Sequence, residues 1–254
     1  MLKALIFDCD GVIAETERDG HRVAFNKTFK EFGIDAEWDV EEYGRLVKIS
    51  GGKERMKNYF QNHPELLDSG EDPDELVLKL HKRKTEIFME MAAKGEMPVR
   101  PGINRIFDEA YEKGLILAIC STSNEKSVKS LVKALMGEQR LEKFHGILAG
   151  DIVKRKKPHP DIYELVKERF NLEGNECIVV EDTENGLKAA KAAGMYCIVT
   201  PSFYSHEEDF SEADIVVSSL GDPQLTEIEV IKASLSLDRE VKYITIDDLN
   251  KIVK

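Results

Sequence analysis

The chain has 254 residues, 42% hydrophobic and 33% charged, a balance that belongs to a globular protein with one or two buried cores and not to a disordered chain. Its net charge of −12 argues against nucleic acid or anionic membrane as partner, since the phosphates of both repel an acidic surface. No stretch is apolar over the length a bilayer requires.

Ala4 to Phe7 is a short apolar run with β-branched and aromatic content, which predicts a buried parallel strand. Asp8 and Asp10 stand at its carboxyl end, where open α/β sheets place their ligands. Residues two apart in extended backbone point the same way, so both carboxylates can face one site. Like charges so close are costly unless a cation or a shared proton relieves them. Gly11 then lets the backbone turn away.

From about Glu15 to Pro98 the chain reads as helical. Val23, Phe25, Phe29 and Phe32 make one apolar face, and Val77, Leu80, Ile87, Phe88 and Met91 another. Asn62-His63-Pro64 and Asp68 to Pro73 are polar breaks between helices. After Gly102, strand and helix alternate: helix 103–113, strand 115–120, helix 124–135, a short strand 146–149, helix 161–170, strand 178–180, helix 186–193 and strand 197–200. Tyr243 to Leu249 reads as either an edge strand or a helix. The pattern predicts an α/β fold with a Rossmann-like, mainly parallel sheet and an inserted α-helical cap domain. The expected domains are a discontinuous catalytic core, residues 1–14 and 99–254, and a cap, residues 15–98, hinged where its two connections meet.

Further polar motifs lie beside predicted strand ends. Ser121-Thr122-Ser123-Asn124 follows the second strand, and Lys157-Pro158 opens a helix after a basic run. Glu181-Asp182 ends the strand that contains Val179. Thr122, Ser123 and Asn124 are also good candidates to cap the next helix, and Lys154 to Lys156 read as solvated charge. Gly51-Gly52-Lys53-Glu54-Arg55 is a turn followed by cations, without the spacing of a P-loop. Cys9, Cys120, Cys177 and Cys197 lack zinc-site spacing and read as reduced core fillers, with a redox pairing of Cys9 and Cys120 as the lesser reading. Met1 leads directly into the first strand, so the expected location is the cytoplasm, or the plastid stroma if a transit peptide has been removed.

The order acid pair, hydroxyl, lysine, acid pair resembles the haloacid dehalogenase superfamily of phosphotransferases, over Leu2 to about Pro223. Glu15-Thr16-Glu17 with His21, Ser50 to Arg55, and Cys120 to Lys126 resemble the CbbY group within it, as do Trp38-Asp39 and Glu42-Tyr43. Those are xylulose-1,5-bisphosphate phosphatases associated with carbon fixation.

That resemblance implies Asp8 as nucleophile, forming an aspartyl-phosphate, and Asp10 as general acid and then base. It implies a Mg²⁺ cofactor held by Asp8, Asp182 and the backbone carbonyl of Asp10, with Glu181 holding a metal-bound water or completing the shell. Ser121 and Lys157 would bind the transferring phosphoryl oxygens. Gly52, Lys53 and Arg55 become candidates for a second phosphate, Glu17 and His21 for a sugar hydroxyl or for orienting Asp10, and Asn124 for a further substrate contact. Lys84 and Arg100 are weaker phosphate candidates. The implied partner is a small phosphorylated sugar, with no nucleic acid and no membrane, and the expected form is a monomer. Two other readings compete: a phosphosugar mutase of the β-phosphoglucomutase type, and a non-catalytic phosphate-binding protein.

Overall fold

The structure, a computed structural model, describes residues 1–49, 51–67, 72–224, 228–233 and 241–253. Along the chain, β1 (Ala4–Phe7) precedes α1 (Arg22–Glu31), α2 (Val40–Leu46), α3 (Gly52–Asn62) and α4 (Pro73–Ala93). Then come α5 (Ile103–Glu112), β2 (Ile116–Ser121), α6 (Glu125–Met136), α7 (Glu138–Lys143), β3 (Gly146–Ala149), α8 (Asp161–Phe170) and β4 (Cys177–Glu181). The chain closes with α9 (Glu184–Ala192), β5 (Tyr196–Val199), β6 (Ile215–Val217), β7 (Val230–Lys232) and α10 (Ile246–Ile252). It divides into two compact units: Met1–Glu15 with Pro98–Lys254, and Thr16–Met97.

The first unit is built on a seven-stranded sheet in the order β3-β2-β1-β4-β5-β6-β7. Neighbouring strands from β3 to β6 pair in parallel, and β7 joins the edge antiparallel. Continuous apolar runs form these strands because helices cover both faces; Leu5, Ile6, Leu117, Ile178, Val179 and Ile198 are all buried. Strand order runs from β1 towards β2 and β3, then resumes on the other side of β1 with β4. This reversal leaves a crevice beyond the carboxyl ends of β1, β2 and β4, the place where such sheets bind ligands.

β6 and β7 were not foreseen. Each is three residues long, too short to show a period, and β7 has two exposed residues. The ambiguous segment around Tyr243–Leu249 resolves as helix. Thr245 and Asp248 cap each other reciprocally at the start of α10, and Ile246, Leu249 and Ile252 bury its apolar face next to α5.

Arg100, a weaker phosphate candidate, is a structural clamp instead. Its guanidinium donates to the carbonyls of Gly11, Thr200 (2.7 Å), Pro201 (2.9 Å) and Ser218 (3.1 Å), joining the loops after β1, β5 and β6. A buried guanidinium supplied with carbonyls avoids the cost of an unpaired charge.

The described residues of the second unit carry helices and no strand. Its core is aromatic: Phe25, Phe29, Trp38, Tyr43, Tyr59 and Phe60 meet at ring separations of 4.7–6.2 Å. The predicted face on α4 is buried as expected. On α1, Ala24, Phe25, Thr28 and Phe29 are buried while Phe32 is exposed, because the helix ends at Glu31 and Phe32 lies beyond its periodic stripe. The expected break at residues 68–71 and Ser50 lie outside the described residues.

Candidate active site

Three parallel strands deliver the central groups. Asp8 follows β1, and its amide donates to the Val180 carbonyl at 2.9 Å, which fixes it beside β4. Ser121 ends β2, Glu181 ends β4, and Asp182 is next; all four residues are buried. Oxygens of Asp8, Glu181 and Asp182 lie within 4.8 Å of one another. Lys157 reaches into this group from the segment before α8. Its ammonium donates to Asp8 Oδ1 (2.5 Å), Glu181 Oε1 (2.6 Å) and the Cys120 carbonyl (2.9 Å). The Tyr163 hydroxyl also donates to Glu181 Oε1.

Two glycines make room for these acids. A β-carbon on Gly11, at φ +81°, would lie 2.0 Å from Asp182 Oδ2, and one on Gly186 would lie 2.0 Å from Glu181 Cδ. Gly186 is placed by α9, whose first turn is capped by the Thr183 hydroxyl accepting from the Gly186 amide at 3.2 Å.

The electrostatics are those of a site built for a cation. Burial pushes the Asp8 carboxyl up to about 7; Lys157 opposes that, while Glu181 and Asp10 add to it. Burial, Asp8 and Glu181 hold Asp182 well above the usual carboxylate range. For Lys157 burial acts downward, but the carboxylates of Asp8 and Glu181 outweigh it and the ammonium is held charged. Glu181 Oε2 is buried and has no hydrogen-bond partner among the described residues. An orphaned carboxylate oxygen, two acids held against ionisation and a cradle that a methyl group would fill all fit a hard divalent cation with oxygen ligands, for which Mg²⁺ is the ordinary choice. Gly11→Ala is expected to displace the Asp182 carboxylate and weaken Mg²⁺ binding about 10- to 100-fold, as changes beside metal ligands do. Calorimetric titration of Mg²⁺ reads this directly, and an unchanged affinity would take Asp182 out of the ligand set.

Asp10 lies two residues beyond Asp8, and its Oδ2 accepts from the Ser123 hydroxyl at 2.8 Å. Ser121 Oγ in turn accepts from the Ser123 amide at 3.0 Å. Asn124 spends its side-chain oxygen as the cap of α6, accepting from the Lys126 amide at 3.0 Å. All four cysteines are free and buried; burial pushes the Cys9 and Cys120 thiols up, which suits core fillers and not a redox pair.

The remaining expected residues belong to the helical unit and fall into two groups. Glu17 Oε2 accepts from the Tyr43 hydroxyl at 2.5 Å, and Tyr43 accepts from Arg55. Arg55 is buried and also donates to the Ile49 carbonyl at 3.4 Å, so the guanidinium expected to meet a phosphate is largely engaged within its own unit. The second group gathers cations. Lys84 is buried, lies 3.0 Å from His21 Nδ1 and sits over the Phe25 ring. His81 is half-buried beside Gly52, with its pKa lowered by burial and by the nearby charges of Lys84 and Lys53. No motif in the sequence marks His81. Its signal was the i, i+3 relation to Lys84, which places both on one face of α4.

The fold and crevice define a class, confirmed by comparison: the profile of the haloacid dehalogenase-like hydrolase family matches residues 2–194, and the chain belongs to that family. Within it the chain is a phosphatase related to CbbY. It is 51% identical over 223 residues to a CBBY-like protein of Arabidopsis thaliana, covering 87% of this chain and 70% of that one. It is 40% identical over 222 residues to Protein CbbY of Cereibacter sphaeroides, covering 87% and 94%. A crystal structure of a mutant CbbY from Rhodobacter sphaeroides in complex with xylulose-(1,5)bisphosphate superposes with TM-score 0.71 at 40% identity, covering 86% of this chain and 95% of that one. No helix among the described residues is long and apolar enough to cross a membrane.

Proposed function

We propose that the protein hydrolyses xylulose 1,5-bisphosphate to xylulose 5-phosphate and inorganic phosphate, through an aspartyl-phosphate on Asp8 and with Mg²⁺ as cofactor. The observation that carries this reading is the Asp8 carboxylate at the sheet's switch point, hydrogen-bonded to Lys157 at 2.5 Å and clustered with Glu181 and Asp182. Likeness to CbbY, whose structure holds the bisphosphate, points to the substrate.

In this reading an Asp8 oxygen bonds to phosphorus as the bond from phosphorus to the sugar oxygen breaks. The electron pair leaves on the sugar oxygen, which takes a proton from Asp10. Asp10 then removes a proton from water, the water oxygen attacks phosphorus, and the bond to Asp8 breaks to return the carboxylate and release phosphate. Lys157 and the Ser121 hydroxyl bind the equatorial oxygens, where charge is spread in the transition state. Asp8, Asp182, the Asp10 carbonyl and Glu181 would hold Mg²⁺, which supplies neutralisation of the acids and phosphate when bound.

The helical unit serves as the cap in this reading. The distal phosphate is assigned to Lys53 and Lys84, whose charges both act on the imidazole of His81 beside Gly52. Glu17, oriented by Tyr43 and Arg55, is assigned to a sugar hydroxyl.

The deciding assay is release of inorganic phosphate from a panel of mono- and bisphosphorylated sugars, with and without Mg²⁺. An isomeric sugar phosphate in place of free phosphate would show a mutase. Lys53→Ala is expected to lower kcat/KM for the bisphosphate about 10- to 150-fold, the worth of one charge-assisted hydrogen bond, with little change for a monophosphate. Equal losses on the two substrates would remove the distal-phosphate assignment and leave the phosphatase standing.

A further inference from the structure

The loop after β2 contains a contact that the site chemistry above does not use. Ser123 Oγ donates to Asp10 Oδ2 at 2.8 Å, across 113 residues of sequence. The same residue's amide is anchored on Ser121 Oγ at 3.0 Å, and Ser121 is the buried last residue of β2. The hydroxyl is therefore held by the rigid sheet and not by a free loop. Asp10 has no strand of its own; it sits one turn beyond β1, where its backbone pairs only in an isolated bridge with Ala14. Its carboxylate needs a partner to define its rotamer, and Ser123 provides one.

We propose that Ser123 is a positioning residue for Asp10: it engages one carboxylate oxygen so that the other is presented to the leaving group. The proposal rests on the acid–base role assigned to Asp10 above. A hydroxyl suits this task because it donates to Oδ2 whether Asp10 is ionised or protonated. In the protonated form the proton sits on the other oxygen, the one presented to the leaving group, and Oδ2 still accepts from Ser123. One side chain thus holds Asp10 in both forms of the cycle. Ser121, two residues earlier, is assigned to the phosphoryl oxygens, so one short loop sets both the electrophile and the acid.

The consequence is specific to the leaving group. A sugar alkoxide is a poor leaving group and requires the proton from Asp10 as the bond to phosphorus breaks. The anion of p-nitrophenol departs without one. kcat/KM covers only steps up to departure of the leaving group, so it isolates the acid role from the later attack of water. Ser123→Ala is expected to lower kcat/KM for the sugar bisphosphate about 10- to 100-fold, part of the roughly 10²- to 10⁴-fold that a placed acid supplies. For p-nitrophenyl phosphate the same variant is expected to stay within about threefold of the parent enzyme, because no acid is needed in that step. Ser123→Thr, which keeps the hydroxyl, is expected to recover most of the sugar-phosphate rate.

A loss of equal size on both substrates would mean that Ser123 only shapes the phosphate loop, and no loss on either would mean that Asp10 is oriented without it. Both results overturn the proposal. A parent enzyme that releases phosphate from p-nitrophenyl phosphate but from no sugar phosphate would instead overturn the substrate reading, so the two failures are distinguishable.

Discussion

Asp8→Asn abolishes turnover and leaves the fold intact: this is the largest effect expected. The amide is close to the carboxylate in shape but is a poor nucleophile and a poor ligand for a divalent cation. Uncatalysed hydrolysis of phosphate monoesters is so slow that enzymes accelerate it by up to ~10²¹, and no neighbouring group can replace the attacking oxygen. The same substitution also has a stability signature. Burial raises the folded-state pKa of Asp8 from 3.8 to about 7, so the folded protein binds a proton more tightly than the unfolded chain does. An acid shifted in this direction lowers stability progressively as pH rises from about 4 to about 7, where the folded state must give up that proton. Asparagine mimics the neutral form at every pH. In the absence of metal, Asp8→Asn should therefore gain in melting temperature relative to the parent chain between pH 5 and pH 8. Substantial residual activity in a preparation free of contaminating phosphatase would remove Asp8 from the nucleophile role. A melting difference that is flat with pH would show that Asp8 is ionised throughout.

Much of this was legible in the sequence because the site is built on strand ends. Ala4–Phe7 and residues 177–180 are uninterrupted apolar runs, so the polar residues that end them stand out, and the alternation after Gly102 gives the parallel sheet. What the sequence does not display is which side chains are already occupied. Arg55 reads as an available cation beside a glycine pair, yet it is buried with Tyr43 and Glu17, partners 12 and 38 residues away. Arg100 likewise reads as a phosphate ligand, but its four carbonyl partners come from three separate segments. Ser123 looked like a helix cap, and the cap is in fact its neighbour Asn124. In each case a long-range contact decides the role, and local pattern carries no trace of it. β6 and β7 were missed for the opposite reason: three residues are too few to show a period at all.

Lys157→Met is expected to give the second large effect, on stability and on rate together. The ammonium is the partner of two buried carboxylates, and methionine would fill its volume without its charge. Removing one side of a buried ion pair costs about 3–5 kcal/mol, because the remaining charges stay out of water. The sign of the pH dependence follows from which group titrates. Lys157 has its folded pKa raised above its usual value of 10.5, so its own stabilising contribution is complete throughout the range from pH 5 to 8. The carboxyl groups do change there: without the lysine they hold their protons to higher pH, which hides much of the loss in acid. The variant should therefore melt closer to the parent at pH 5 than at pH 8. Added Mg²⁺ should narrow the pH 8 gap, since it binds the same acids and replaces the missing positive charge. Turnover should still fall about 10²- to 10³-fold in saturating Mg²⁺, because a fixed cation aimed at the transferring phosphoryl oxygens has no substitute in a methionine. Thermal melts at the two pH values, each with and without Mg²⁺, separate the structural part from the catalytic part. A variant that melts with the parent at pH 8 without metal would show that Lys157 does not carry the charge balance of the acid cluster. Full recovery of turnover on adding Mg²⁺ would show that its role is structural alone.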